Sequence, residues 1–164
     1  MNKNSIYIIL FFFTTNILLS QYKTERIEDF FKTNETDSLY ITAIKNYTQE
    51  LDSLITKNQY PKIIYLEHQN YLSRLPKEIN GYQIISLGLA NRKEYFKKNT
   101  NKLALVEISP LFLKDGLFSI TLLLYGAKLK GKMNLDLSFS HFNRTYFKFT
   151  DGKLVEVKNE TGGI

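Results

Sequence analysis

The chain of 164 residues contains no cysteine and no tryptophan, and it has only three prolines and two histidines. Without cysteine it can form no disulfide bond, bind no metal through a thiolate and carry no lipid on a thiol. Packing and hydrogen bonds must therefore stabilise the fold without covalent crosslinks.

Motifs of known catalytic or cofactor sites are also missing. The sequence has no H-E-x-x-H pair, no G-x-S-x-G turn and no glycine-rich phosphate loop. His68 follows a predicted strand, and His141 is predicted to lie in a loop between strands, near Asp136 and Arg144. A metal site needs three or more converging ligands. The sequence therefore predicts no catalytic, cofactor-binding or metal-ligating residue, and it favours a protein that is not an enzyme.

Two sets of side chains are alternative candidates for a site. Glu107 and Asp136 could form an acid-base pair across neighbouring strands, but strand alternation predicts that both face solvent. Aromatic residues at strand spacing more often belong to a core than to a ligand site. Four of them are nevertheless candidates for lining a cleft: Tyr82, Tyr125, Tyr146 and Phe147.

The charge of the chain is mildly positive, because 22 Lys and Arg residues oppose 16 Asp and Glu residues, for a net charge of +6. Nucleic-acid-binding proteins concentrate positive charge on one face, whereas the lysines here are mostly scattered. No nucleic-acid partner is therefore expected. The lysines are interpreted mainly as solvated turn residues, and an envelope protein or an anionic glycan is kept as a candidate partner. Two groups of lysines stand out: Lys97, Lys98 and Lys102, and Lys128, Lys130 and Lys132.

The apolar stretch "IYIILFFFTTNILL" at residues 6–19 has the proportions of a signal peptide. As a helix it would be about 21 Å long, which is short of the roughly 30 Å hydrocarbon core of a bilayer. Lys3 precedes it and the small residue Ser20 follows it, so we predict a signal peptide at residues 1–20 and an exported protein, periplasmic or secreted. Membrane contact is expected only before cleavage. Leu18, where a small residue is usual, keeps open an uncleaved N-terminal anchor.

Residues 21–164 are predicted to form a single α+β domain. The segment "TERIEDFFKT", capped by Thr24, predicts a short helix. From Thr36, a second capping candidate, apolar residues recur at intervals of three and four, which predicts a longer helix with one apolar face. The residues of that face are Tyr40, Ile44, Tyr47, Leu51, Leu54 and Ile55.

The rest of the chain alternates between apolar and polar residues, which is typical of strands. Glycines at 116, 131 and 152 mark turns between consecutive hairpins. We therefore predict N-terminal helices packed on a curved antiparallel meander. A cystatin-like or nuclear-transport-factor-like layout has this arrangement of helices and sheet. Residues 162–164 are predicted to form a short flexible end. The predicted strands are 62–67, 82–88, 102–109, 117–129, 133–140, 145–150 and 154–158, with a small helix at 91–98.

Several segments resemble exported, uncharacterised proteins of Bacteroidota: the "NILLSQ" border, "ISPLFLKDGLFSI" at 108–120 and the ending "NETGGI". The resemblance spans most of the chain and implies an envelope or secreted location, but no activity and no site residue. The first functional hypothesis is an exported, non-catalytic binding domain. The alternatives are a small enzyme or ligand-binding protein with a cone-shaped pocket between helix and sheet, and a membrane-tethered structural protein with an uncleaved N-terminus.

Overall fold

A computed structural model describes residues 35–54, 61–72, 74–131 and 134–163. Within it, Glu35–Ile164 forms one compact unit. The signal peptide, its cleavage after Ser20 and the helix predicted from Thr24 lie outside the described residues, so the N-terminal border of the domain stays a prediction. In the part of the chain that is described, no helix combines the length and apolar character needed to cross a membrane.

Helix α1 spans Glu35–Leu54 and packs its predicted apolar face on the sheet. Thr36 lies inside this helix, so it is not the capping residue. Leu51 packs against the same core, whereas Ile55 and the side chain of Leu54 lie outside the described parts. Each large apolar side chain buried here contributes about 1.5–3 kcal/mol before entropy is subtracted. Three residues of the predicted face are at most 3% exposed: Tyr40, Ile44 and Tyr47.

The described residues form a mostly antiparallel, open sheet of eight strands, which together with two helices confirms the α+β class. The strand order is β2-β3-β1-β4-β6-β7-β8, and β5 pairs with β6. Helix α2 spans Arg92–Lys98, and a short 3-10 turn spans Asn70–Leu72. The strands are β1 Ile63–Glu67, β2 Glu78–Ile79, β3 Tyr82–Leu87, β4 Lys102–Ile108, β5 Phe112–Lys114, β6 Leu117–Lys130, β7 Asn134–Thr150 and β8 Lys153–Gly163.

The prediction of a purely antiparallel meander was wrong for the first half of the sheet. Strand β1 pairs in parallel with β3 on one side and with β4 on the other. The chain returns to the same end of the sheet twice, once between β1 and β3 and once through α2 between β3 and β4. A crossover of this kind permits parallel neighbours, whereas a tight turn permits only antiparallel ones.

The later hairpins agree with the prediction. At the β5–β6 turn, Asp115 and Gly116 have φ of 52° and 78°, and at the β7–β8 turn, Asp151 and Gly152 have φ of 51° and 81°. Positive φ at both central residues defines the turn type that matches the twist of paired strands. Aspartate followed by glycine is a favoured pair there, because both tolerate this conformation better than other residues.

Strand β7 is continuous over Asn134–Thr150, whereas the sequence predicted strands at 133–140 and 145–150 with His141 in a loop between them. The loop was predicted because polar residues in "SHFNRT" interrupt the apolar alternation. In the structure four of these five polar side chains have partners; His141 and Asn143, for example, both contact α1. The segment is therefore strand, and the predicted loop was wrong.

The two faces of the sheet are covered unequally. The first face carries α1 and the larger core. The second face carries α2 and a smaller core around Leu87, Phe96 and Leu105. Helix α2 has seven residues, so it is only about 10 Å long, and it packs on β4 and β6. Around Arg144 on the second face, the described residues that line the surface come from strands and the segments joining them, and none comes from a helix.

The two glycines near the C-terminus belong to β8, which corrects the prediction of a flexible end for these two residues, and Ile164 lies outside the described residues. Gly162 pairs with Phe142 and Gly163 pairs with His141. A Cβ atom added at Gly163 would lie 2.6 Å from the backbone carbonyl oxygen of Ser140, which is closer than a real contact allows. Glycine at this position therefore lets the end of β8 pack directly against β7.

We expect Gly163→Ala to lower the free energy of unfolding by about 1–3 kcal/mol, because the clashing oxygen belongs to the backbone and moves only if the strand moves. Gly126→Ala is the matched control, since Gly126 also lies in a strand but its added Cβ would meet its nearest atom at 3.9 Å. Denaturant unfolding followed by circular dichroism measures both variants. Equal stabilities would contradict the close approach.

Candidate functional site

A cleft of about 600 Å³ lies on the second face of the sheet, between the β5–β6 hairpin and β7. Strand alternation places its residues side by side, because every second residue of a strand faces the same way. Ser119 lies opposite Tyr146, and Thr121 lies opposite Arg144. Phe112 of β5 lies on the other side of Ser119 and is 60% exposed. The cleft thus combines hydroxyl groups, a guanidinium group and an exposed aromatic ring.

Hydrogen bonds orient the Arg144 side chain within the cleft. Its Nε donates to Oγ1 of Thr121 at 2.9 Å. Its Nη1 lies 3.4 Å from the hydroxyl oxygen of Tyr146 and 3.5 Å from Oε1 of Glu160. The side chain is nevertheless 39% exposed. The guanidinium group is therefore oriented in advance and still accessible to a ligand.

Glu160 completes this network and sets its charge. It accepts hydrogen bonds from Tyr146 at 2.8 Å and from Lys158 at 2.7 Å. The hydrogen bond from Lys158, followed by that from Tyr146, lowers the pKa of the Glu160 carboxyl. Glu160 is therefore an anion at neutral pH, and with Arg144 and Lys158 it forms a group with one excess positive charge.

The four aromatic residues considered from the sequence do not come together. Tyr146 lines the cleft, and Tyr125 lies on the same face, farther along β6. Phe147 is 1% exposed in the core under α1. Tyr82 is also in that core, where its hydroxyl donates to Asp52 at 2.8 Å and burial raises its pKa to about 12. Only two of the four therefore share the open face.

The structure does not form the acid-base pair of Glu107 and Asp136. Glu107 lies opposite Leu123, and Asp136 lies opposite Lys128, so the two carboxylates are at different levels of β4 and β7, with β6 between them. Asp136 instead contacts Lys130 at 2.7 Å, and this hydrogen bond lowers its pKa. The two carboxylates have no common site.

The two lysine groups meet where β4 pairs with β6, since Lys102 lies opposite Lys128. Other members are paired with acids, as Lys98 is with Glu94 at 2.6 Å. Lys132 lies outside the described residues. Part of the positive charge in these groups is therefore neutralised locally.

The two histidines lie in different surroundings and share no site. Nδ1 of His68 lies 3.1 Å from the Ser86 hydroxyl at the surface. His141 lies beneath α1, with its Nε2 2.7 Å from Oε1 of Glu50, and the fully buried Asn143 donates to the other Glu50 oxygen at 2.8 Å. This polar cluster joins α1 to β7. Over the described residues, no three His, Asp or Glu side chains gather as a metal site would require.

Comparison of the chain with protein-family models, with curated proteins and with solved structures finds no match.

The cleft residues were largely missed from the sequence. In the sequence Arg144 is only a neighbour of His141, and nothing in the local pattern marks Phe112. One sequence feature does point to the cleft: Ser119 and Thr121 of β6 are two residues apart, which places two hydroxyl groups on the same face of the strand. What lies opposite them depends on strand register, which the local sequence does not determine.

Proposed function

We propose that this protein is an exported, non-catalytic domain that binds an anionic glycan of the cell envelope in the cleft at Arg144. The observation that supports this proposal most is an exposed guanidinium group, which Thr121 and Tyr146 orient, beside the exposed ring of Phe112. A sugar carboxylate would accept charge-assisted hydrogen bonds from Arg144. The apolar face of the sugar would pack on Phe112.

The hydroxyl groups and the charge of the cleft support a glycan over other anions. Ser119 supplies a hydroxyl group for a ligand that is itself rich in hydroxyls, whereas the hydroxyl groups of Thr121 and Tyr146 already contact Arg144 and Glu160. Glu160 beside Arg144 leaves about one excess positive charge. That charge suits a single carboxylate better than the closely spaced phosphates of a nucleic acid. The signal-peptide proportions of residues 1–20 support the envelope location.

The ionisation of Glu160 supports binding over catalysis. A general acid works best with a pKa close to the working pH. The pKa of Glu160 is lowered by its hydrogen bonds from Lys158 and Tyr146, which keeps it ionised and makes it a structural acceptor for the arginine.

A second candidate is a small ligand-binding protein or enzyme that uses a cavity between helix and sheet. A mainly apolar cavity of about 460 Å³ is lined by Tyr47 and Leu51 of α1 and by Ile64, Val106 and Leu124 of the sheet. It would suit a small apolar molecule. The position of α1 across one sheet face is also what supports a cystatin-like or nuclear-transport-factor-like layout, which stays a proposal.

The test is calorimetric titration of the full chain with a disaccharide that carries one glucuronate, and with its carboxyl-reduced form. We expect the acidic disaccharide to bind and the reduced one to bind at least tenfold more weakly. Arg144→Gln should lower affinity for the acidic form by about tenfold to a hundredfold, since a hydrogen bond to a charged group contributes about 1.5–3 kcal/mol.

Lys148→Gln is the matched control, because it removes the same charge from an exposed position of β7 outside the cleft. Its affinity should match that of the unmodified protein. Phe112→Ala tests the same site without disturbing internal hydrogen bonds, since its ring is 60% exposed. Equal binding of the acidic and reduced disaccharides, or no binding of either, would refute the proposal.

A further inference from the structure

The aromatic surface on the second face continues beyond the cleft along β7. Phe142 lies next to Arg144, whose guanidinium carbon is 5.4 Å from the ring centre. Farther along, Phe139 packs edge to face on Tyr125 of β6, with ring centres 6.0 Å apart. From Tyr146 to Phe139 the strand thus presents a row of rings on the face that carries the cleft.

A β-bulge is what places Phe139 in this row. Leu124 pairs with His141, but the next residue, Tyr125, pairs with Phe139, so Ser140 is an extra residue in β7. Without it, strict alternation would turn Phe139 to the first face, the side on which His141 contacts α1. Bulges commonly redirect a side chain in this way beside functional sites.

A second bulge acts on the other side of the cleft. Tyr146 pairs with Lys158 and Phe147 pairs with Glu156, so Val157 is extra in β8. Lys158 is thereby brought over the ring of Tyr146, with its Nζ 5.3 Å from the ring centre. Both irregularities of the long strands therefore add an aromatic or a cationic group to the same surface.

The row is longer than a small ligand. Because Ser140 is an extra residue, the length is counted on β6, where six residue steps separate Ser119 from Tyr125, which at about 3.3 Å per residue is about 20 Å. Phe139 is 36% exposed, and Phe142 and Tyr125 are partly exposed. A monosaccharide or disaccharide in the cleft would leave most of this surface uncovered.

Charge differs between the two ends of the row. The Arg144 end carries the excess positive charge described above. At the other end, Glu107 lies on the same face, opposite Leu123 of β6, and Glu67 is paired with Arg92 at 3.0 Å. Burial, followed by the charges of Glu107 and Glu67, raises the pKa of Tyr125. A carboxylate is therefore favoured at Arg144 and disfavoured near Tyr125.

We propose that the open face binds a linear oligosaccharide several rings long, with a sugar carboxylate at Arg144 and uncharged sugar rings stacked over Phe142, Phe139 and Tyr125. This proposal rests on the proposed function and adds the length, direction and charge pattern of the ligand. Sugar rings pack on aromatic rings through their apolar faces, so the row would recognise shape along the chain while Arg144 recognises the acid.

The test compares a hexasaccharide that has one terminal glucuronate and five uncharged sugars with the acidic disaccharide, by calorimetry on the full chain. We expect the hexasaccharide to bind about tenfold more tightly, an increment that a few aromatic contacts supply. Phe139→Ala should remove most of that gain and leave affinity for the disaccharide unchanged. Phe149→Ala is the matched control, since it removes an exposed ring from the same strand outside the row.

Equal affinities of the unmodified protein for the two lengths would overturn the extended surface and leave the cleft as the proposed site. Failure of both oligosaccharides to bind would instead refute the proposed function itself. Binding of a single-stranded oligonucleotide of similar length as tightly as the hexasaccharide would also overturn the proposal, because it would assign the face to stacked bases and phosphates.

Discussion

Phe147→Ala is expected to lower the free energy of unfolding by about 3–5 kcal/mol, the usual cost of removing a fully buried aromatic ring. Phe147 is 1% exposed and lies opposite Phe118 of β6. It belongs to the core in which α1 packs on the sheet, together with Ile44 and Ile120. Truncation would leave a cavity that rigid strands on either side cannot easily fill.

Denaturant unfolding followed by circular dichroism measures this loss, and Phe149→Ala provides the control. Phe149 lies two residues farther along the same strand and is 62% exposed. Its truncation should change stability by no more than about 0.5 kcal/mol. If both variants lost the same amount, the assignment of Phe147 to the core would be wrong.

Asn143→Ala is expected to lower the free energy of unfolding by about 2–4 kcal/mol, through the lost partner of a charged group and the cavity left behind. Asn143 is 0% exposed and donates from Nδ2 to Oε2 of Glu50 at 2.8 Å. Nε2 of His141 lies 2.7 Å from Oε1 of Glu50, but the ring N–H is not aligned as a hydrogen bond. Asn143 is therefore the better-aligned partner of this carboxylate.

Two comparisons separate this role from a general effect of substitution in β7. Asn134→Ala removes an exposed asparagine at the start of the same strand and should be nearly neutral. In a Glu50→Ala background, Asn143→Ala should cost less than in the unmodified protein, because the carboxylate it satisfies is gone. Additive costs in the double variant would show that the Glu50 contact contributes nothing.

Phe147 and Asn143 both lie on β7, the strand that also carries Arg144 and Tyr146 of the proposed site. On the first face of β7, His141, Asn143 and Phe147 attach the strand to α1 and the core. On the second face, the intervening residues Arg144 and Tyr146 project into the cleft. Because alternate residues of one strand face opposite ways, packing under the helix also determines where the cleft residues point.

Much of the local structure followed from the sequence. Spacing of Tyr40, Ile44 and Tyr47 identified the buried face of α1, and the aspartate-glycine pairs located two hairpin turns. These features depend on residues close together in the chain, which is why period and turn residues were enough.

Three features needed the tertiary structure: the parallel pairing of β1, the continuity of β7 through His141, and the incorporation of Gly162 and Gly163 into β8. The cleft belongs with them, because register and two bulges bring Arg144, Phe112 and Glu160 together from three strands. Helical period, strand alternation and turn type were set by the sequence locally. Strand order and register were decided by contacts between distant segments, because a buried polar residue of β7 such as Asn143 is stabilised only once its partner on α1 lies beside it.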